Sequence, residues 1–153
     1  MQAPAPLAAK QWYTVLMRGG RFGIPLAITS ALATAYVASQ HSRDSLPFKL
    51  NLAATILLPS IVPFTFLFIV PVNKQLMEKK DSMAAASLED KAIEQGVPAG
   101  ETTHGLIDKW AMLNLARAVF LAAGALCTTV AAVSKREVVG FGDFGLQSGA
   151  NRI

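Results

Sequence analysis

The chain has 153 residues, 52% of them hydrophobic and only 16% charged, with a net charge of +4 and a pI near 9.5. That length points to one domain. A charge content well below the roughly 25% of soluble domains, with apolar residues gathered into long blocks, excludes an ordinary soluble core. The basic residues mostly flank the apolar blocks, as interfacial anchors do, so the positive charge does not indicate nucleic-acid binding.

Met1 to Ala9 is rich in alanine and proline and is expected to be irregular. It lacks the charged and apolar regions of a signal peptide. Lys10 to Arg21 carries Trp12, Tyr13, Arg18 and Arg21, a mixture suited to the headgroup level. Residues 1–21 therefore read as an interfacial segment. The first predicted span covers residues 22–39, with Pro25 near its start and many small residues that allow close helix approach. A short polar turn then makes the next span an antiparallel neighbour.

The second predicted span covers residues 50–72 and is interrupted by Pro59, Pro63 and Pro71. Prolines inside a span free carbonyls that neighbouring helices or Ser/Thr side chains must satisfy, and Ser60 and Thr65 are placed to do so. Asn73 follows as a helix cap, for which Asn is favoured, or as a site residue. Asn51, at the other end, reads as a cap or interface residue. Residues 73–109 form a polar loop flanked by helical extensions, and Ser87-Leu-Glu-Asp90 within it has the pattern of a helix N-terminus. His41 and His104 lie in polar loops and read as solvated.

The third predicted span, residues 110–133, contains Arg117. A guanidinium at the centre of a spanning helix costs roughly 2.5 kcal/mol or more, so such residues usually face a bundle interior or a wet cavity. Asn114 lies three residues earlier and Trp110 four before that, which puts all three on one helical face. That face is the leading candidate site. The plainer reading makes Trp110 an interfacial anchor, Asn114 a helix–helix bond and Arg117 the partner of a carbonyl freed by a kink. The single Cys127 cannot form an intrachain disulfide, and no Cys/His spacing suggests a zinc site, so no metal is expected. The Gly-rich tail, residues 134–153, reads as flexible. The distribution of lysine and arginine puts the N-terminus and the long loop on the cytoplasmic side. The expected protein is an all-α, multi-pass integral membrane bundle of three helices in contact with lipid, and self-association is compatible with it.

Two segments carry a family resemblance: Ile69-Val-Pro-Val-Asn73-Lys-Gln-Leu76 and Trp110-Ala-Met-Leu-Asn114-Leu-Ala-Arg117. They resemble the paired signature of the anthrone oxygenase-like membrane family, Pro-x-Asn-x-x-Leu closing one helix and Trp-x-x-x-Asn/His-x-x-Arg opening the next. The Trp12-Tyr13 and Pro25 region is similar as well, and the likeness extends over about residues 11–133. Members usually have four spans, and the span expected before Trp12 is absent here. Some members carry histidines in the segment matching Lys10 to Arg21 and at the position of Asn114; this chain has none there.

The resemblance implies oxidation of an anthrone to a quinone with dioxygen, as fungal members do in aromatic polyketide pathways. The partners would be a small hydrophobic aromatic substrate and dioxygen. Arg117 would stabilise an oxyanion, Asn73 and Asn114 would orient substrate oxygens, and Trp110, with Tyr13 second to it, would bind the rings. No flavin, nicotinamide or haem motif is visible, so the expected oxygenase uses no cofactor. The alternative is a non-catalytic membrane protein that binds a lipid or a protein partner, with Arg117 as a structural residue.

Overall fold

Why the middle helix bends is written in its prolines. Pro71 has no N–H to donate, and its ring crowds the carbonyl four residues back. In the computed structural model, which describes residues 3–140 and their side chains as far as Ser134, the helix widens at Thr65–Ile69 into a π-turn closed by the Val70 amide on the Thr65 carbonyl. Around that turn run α2 (Leu46–Phe64) and α3 (Val70–Ser82), which form one unbroken helical rod. Before it comes α1 (Ala5–Ser39), and after it a 3₁₀ turn (Ala99–Glu101) leads into α4 (Thr103–Gly140). No strand occurs among the described residues, and the fold is all-α.

Among the described residues, three helical stretches are long and apolar enough to cross a membrane: Ala5–Ser39, Leu46–Ser82 and Thr103–Ser134. Each extends past the apolar block that predicts it. The N-terminal segment is helical from Ala5 rather than irregular, because Pro6 sits in the first turn, where a missing N–H is not needed. Ala5 and Ala9 are buried against Met83, which ties that extension to the end of α3. At 35 residues α1 is about 52 Å long, well beyond a hydrocarbon core of about 30 Å. The tail is helical as far as Gly140, and residues 141–153 lie outside the described residues.

Helix α2 packs on both α1 and α4. Helix α1 buries small residues, Ala27, Ala31, Thr34 and Ala38, and Ala31 packs against Ala54 and Leu58. The Thr34 and Thr55 hydroxyls meet across this contact at 3.0 Å. On α4 the close approach falls at Gly124, where a Cβ would lie 2.9 Å from Leu58 Cδ2. Asn51 is buried and donates to the Pro47 carbonyl at 2.9 Å, so it is not the cap. Ser45 is, accepting from the Phe48 amide at 3.3 Å. Leu26, Leu32, Ile56, Phe66, Leu67, Leu115 and Leu126 point outward, as side chains facing lipid would.

The long loop departs from its predicted form. Ser87 to Asp90 starts no helix; Asp90 Oδ1 accepts from the Ala92 amide at 2.9 Å in a local turn, the kind of bond with which Asp and Ser compete against helix. The helix start lies at Thr102 and Thr103 instead. The Thr102 hydroxyl accepts from the Gly105 amide at 3.1 Å. The Glu94 carboxylate accepts both the amide and the hydroxyl of fully buried Thr103 at 2.9 Å. Lys79 reaches the same carboxylate at 3.3 Å from the end of α3. Glu94→Ala should therefore destabilise the protein by about 1–3 kcal/mol, the scale of stranding buried donors, whereas Lys79→Met should lose no more than about 1 kcal/mol, as for a solvent-accessible ion pair. Thermal unfolding in detergent measures both, and equal losses would contradict this ranking.

Candidate functional site

The three helical rods leave a cavity of about 210 Å³ where α1, the π-turn with α3, and α4 meet. Helix α1 supplies Gly19, Gly20 and Gly23, the middle rod supplies Thr65, Ile69 and Asn73, and α4 supplies Trp110, Asn114 and Arg117. The four residues predicted from sequence on the middle and last helices thus converge on one space. Asn73 does so from within α3, not from a helix end: the helix runs nine residues further to Ser82, anchored by buried Val72 and Leu76. Tyr13 stands apart. It packs against the Trp12–Leu76 core and lies under the Lys80 ammonium, 4.3 Å from the ring centroid, rather than lining the cavity.

Polar atoms around this space lack partners. Thr65 Oγ1, Asn73 Oδ1 and Trp110 Nε1 are buried without a hydrogen bond to any described residue. Thr65 is the telling case. Thr14, Thr29 and Thr55 each donate to the carbonyl four residues back, at 2.8–3.0 Å. At the start of the π-turn Thr65 makes no such bond, so it does not repair a proline gap as its position predicts; neither does Ser60, which bonds the Leu57 carbonyl at 2.6 Å rather than one four residues before a proline. An orphaned buried polar group costs about 1–3 kcal/mol, and π-turns recur at functional sites.

The α4 wall is held in place from behind. Asn114 Nδ2 donates to the Trp110 carbonyl at 2.8 Å, which fixes the amide beside the cavity. The Trp110 ring meets Trp12 edge to face, with centroids 6.3 Å apart and planes at 86°, a favourable aromatic geometry. Arg117 is half-buried and forms no ion pair with any described residue. The plainer reading pairs Arg117 with a carbonyl freed by a kink; its side chain makes no such hydrogen bond to a described residue, whereas Asn114 beside it bonds the Trp110 carbonyl. A guanidinium offers five donors and no acceptor, so what this wall presents is positive charge and N–H groups.

The opposite wall is almost featureless. A Cβ added at Gly19, Gly20 or Gly23 would meet nothing within 4 Å. These glycines are the lining that sequence reading passed over, although three in five residues of an otherwise helix-forming segment is itself a signal. Glycine disfavours a helix by about 1 kcal/mol relative to alanine, and no contact in the fold requires it at these positions.

The two halves of the lining give separate tests. Thr65→Val removes an unpartnered hydroxyl and should leave the melting temperature unchanged or raised; a clear drop would reveal a partner for that hydroxyl. Gly20→Leu should fill the cavity while keeping full helical circular dichroism and an unchanged or higher melting temperature. Loss of folded protein would show that this wall is not open.

The anthrone oxygenase family model matches residues 12–127. Monooxygenase hypC of Dothistroma septosporum is 29% identical over 119 residues, which are 76% of this chain and 58% of that protein. Anthrone oxygenase encC of Aspergillus fumigatus is 28% identical over 130 residues, 82% of this chain and 70% of that protein. Anthrone oxygenase ptaC of Pestalotiopsis fici is 26% identical over 114 residues, 73% and 75% respectively. The chain thus spans little more than half the length of the Dothistroma relative. No solved structure matches it significantly.

Proposed function

The chain belongs to the anthrone oxygenase family, and on that premise we propose that it is a membrane-bound monooxygenase that oxidises an anthrone-type aromatic to the corresponding quinone with dioxygen. The observation that carries the proposal is the position of Arg117, without an ion-pair partner among the described residues, on the same cavity as Trp110, Asn73 and Asn114. Anthrones are flat, apolar molecules with oxygen at one edge. Such a ligand suits a cleft between helices that is mostly apolar with a few placed polar groups.

The reaction balances without any group beyond substrate and oxygen. Loss of a proton from the methylene opposite the carbonyl gives an enolate, with the negative charge on oxygen. The electron-rich carbon bonds to dioxygen, and after protonation the peroxide loses water across its C–H and O–O bonds to leave a new carbonyl. One oxygen atom ends in the quinone and the other in water. In this reading Arg117 holds the enolate oxygen, Asn73 and Asn114 orient neighbouring carbonyl or phenol groups, and the Trp110 indole contacts the rings.

Arg117→Leu tests the assignment. Quinone formation and oxygen uptake by membranes given an anthrone should fall by about 10²-fold or more, the scale for removing one preorganised oxyanion donor. The variant should fold, because no partner charge among the described residues is stranded and the cost of burying a cation disappears. Arg117→Lys should retain part of the activity if charge suffices and none if the planar fork is needed. Wild-type turnover in a folded Arg117→Leu protein would remove Arg117 from the chemistry and favour a non-catalytic membrane protein that binds a lipid or a partner.

A further inference from the structure

Among the described residues, the cavity's lining contains one charged side chain and no group that could take a proton near neutral pH. Besides Arg117, the polar lining residues are Thr65, Asn73, Trp110 and Asn114. The first three of these hold the orphaned polar atoms and the tethering carbonyl, and none titrates between pH 4 and 10 in ordinary chemistry. The titratable and charged groups nearest in sequence on each packed element lie off the lining. On α1 these are Tyr13, Arg18 and Arg21; on α3, Lys74 and Glu78; on α4, Asp108, Lys109 and Cys127. Glu78 lines a separate groove together with Lys79 and Lys109. Arg18, Arg21, Lys74, Asp108 and Lys109 are exposed. The lining's charge is therefore positive, and none of its described residues is a carboxylate or imidazole.

We infer that this cavity takes its ligand as an oxyanion, an ionised phenol or enolate, and that the proton leaves to water or buffer at the mouth instead of to a side chain. The identity of the ligand rests on the oxygenase reading above; its charge rests on the lining alone. In the step itself the O–H bond, or the C–H bond conjugated to the carbonyl, breaks. The electron pair stays on the ligand, centred on oxygen beside Arg117, and the proton goes to solvent with no change of oxidation state. The proton can leave because the cavity lies where charged residues begin to interrupt the apolar stretches of the helices: Lys74 follows Asn73, Lys109 precedes Trp110, and Arg18 and Arg21 bracket Gly19 and Gly20. An opposite charge within about 4–6 Å lowers an acid's pKa by about 1–3 units. The consequence is selectivity: among flat aromatics of one size, those that ionise within a few units of neutrality are the ones captured.

The test uses 2-hydroxyanthraquinone as probe, because its phenol changes colour on ionisation and its ring carbonyls are already formed, so it cannot turn over. The probe is titrated with the full-length protein in nanodiscs and with protein-free nanodiscs of the same lipid. Protein-bound probe should ionise about 1–3 pH units below probe in the empty discs. Arg117→Leu should abolish that shift, and Gly20→Leu, which fills the cavity, should abolish binding. A bound probe that stays neutral at its free ionisation point overturns the inference. So does a shift that survives in folded Arg117→Leu protein, or one that survives in Gly20→Leu.

A second measurement needs no variant. The acid limb of kcat/KM against pH, for two anthrones of different acidity, should move with the substrate. A limb at one fixed pH for both would assign a protein base and overturn the inference. A probe shift without any anthrone turnover defeats the oxygenase reading and leaves the oxyanion site standing; turnover with an unshifted probe does the reverse.

Discussion

Pro71 dictates more of this molecule than any other residue. It cannot bond to Leu67, and a regular α-helix through it would press its ring into that carbonyl. The wide turn at Thr65–Ile69 is the resolution, and it resets the helical register. Positions four apart in an α-helix drift by about 40° at each step. A wider turn under-rotates and offsets that drift, so that Thr65, Ile69 and Asn73 come to one line facing the cavity. The same turn leaves the Thr65 hydroxyl without the back-bond that Thr14, Thr29 and Thr55 make in regular helix. One covalent constraint thus sets the aim of one wall and frees its polar atoms.

Freed polar atoms matter because of the medium. Where little water reaches, each backbone and side-chain polar group must find a partner within the protein. Most of this chain complies: threonines and serines bond back to their own helices, Asn51 bonds Pro47, and Thr34 bonds Thr55. The exceptions among the described residues are Trp12, Thr65, Asn73 and Trp110. Three of the four line the cavity, and the fourth packs edge-on against Trp110. Polar groups left open at one place, across from a wall of glycines, are what a site that trades protein–protein bonds for protein–ligand bonds requires.

The sequence carried the membrane blocks and the Trp110–Asn114–Arg117 face, because hydropathy and helical spacing are local properties. It misplaced what depends on tertiary contact. Asn73 reads as a helix end because polar residues begin there, yet burial of Val72 and Leu76 against Trp12 and Leu106 carries the helix on to Ser82. Ser87 to Asp90 has the right spacing for a helix start, but the helix begins at Thr103, where a carboxylate nine residues upstream supplies the cap. No short-range pattern announces a cap that arrives from a loop. Tyr13 looks like a ligand contact by type and lies beside the cavity's supporting core under Lys80. The glycines at 19, 20 and 23 were legible as an anomaly, but their meaning appears only once a cavity lies against them.

The cavity's dimensions depend on a clamp outside it. Asn73 and Trp110 stand on different rods joined by a long irregular loop, and nothing in α3 or α4 alone fixes how far one slides past the other. Glu94 does so by holding Lys79 on α3 and Thr103 on α4 with one carboxylate. From Lys79 back to Asn73, and from Thr103 forward to Trp110, is six and seven residues of continuous helix, about 9–10 Å of rigid lever each at 1.5 Å per residue. The near-equality of the two levers is why the amide of Asn73 and the indole of Trp110 reach the same level. Below that level the core of Trp12, Val72, Leu76 and Leu106 fills the space between the levers, so a slip of α4 would have to break the clamp and this packing together. The charge that performs the proposed chemistry sits two turns beyond Trp110. Its placement follows from a loop contact, a hydrophobic plug and a proline-widened turn that lines the same cavity.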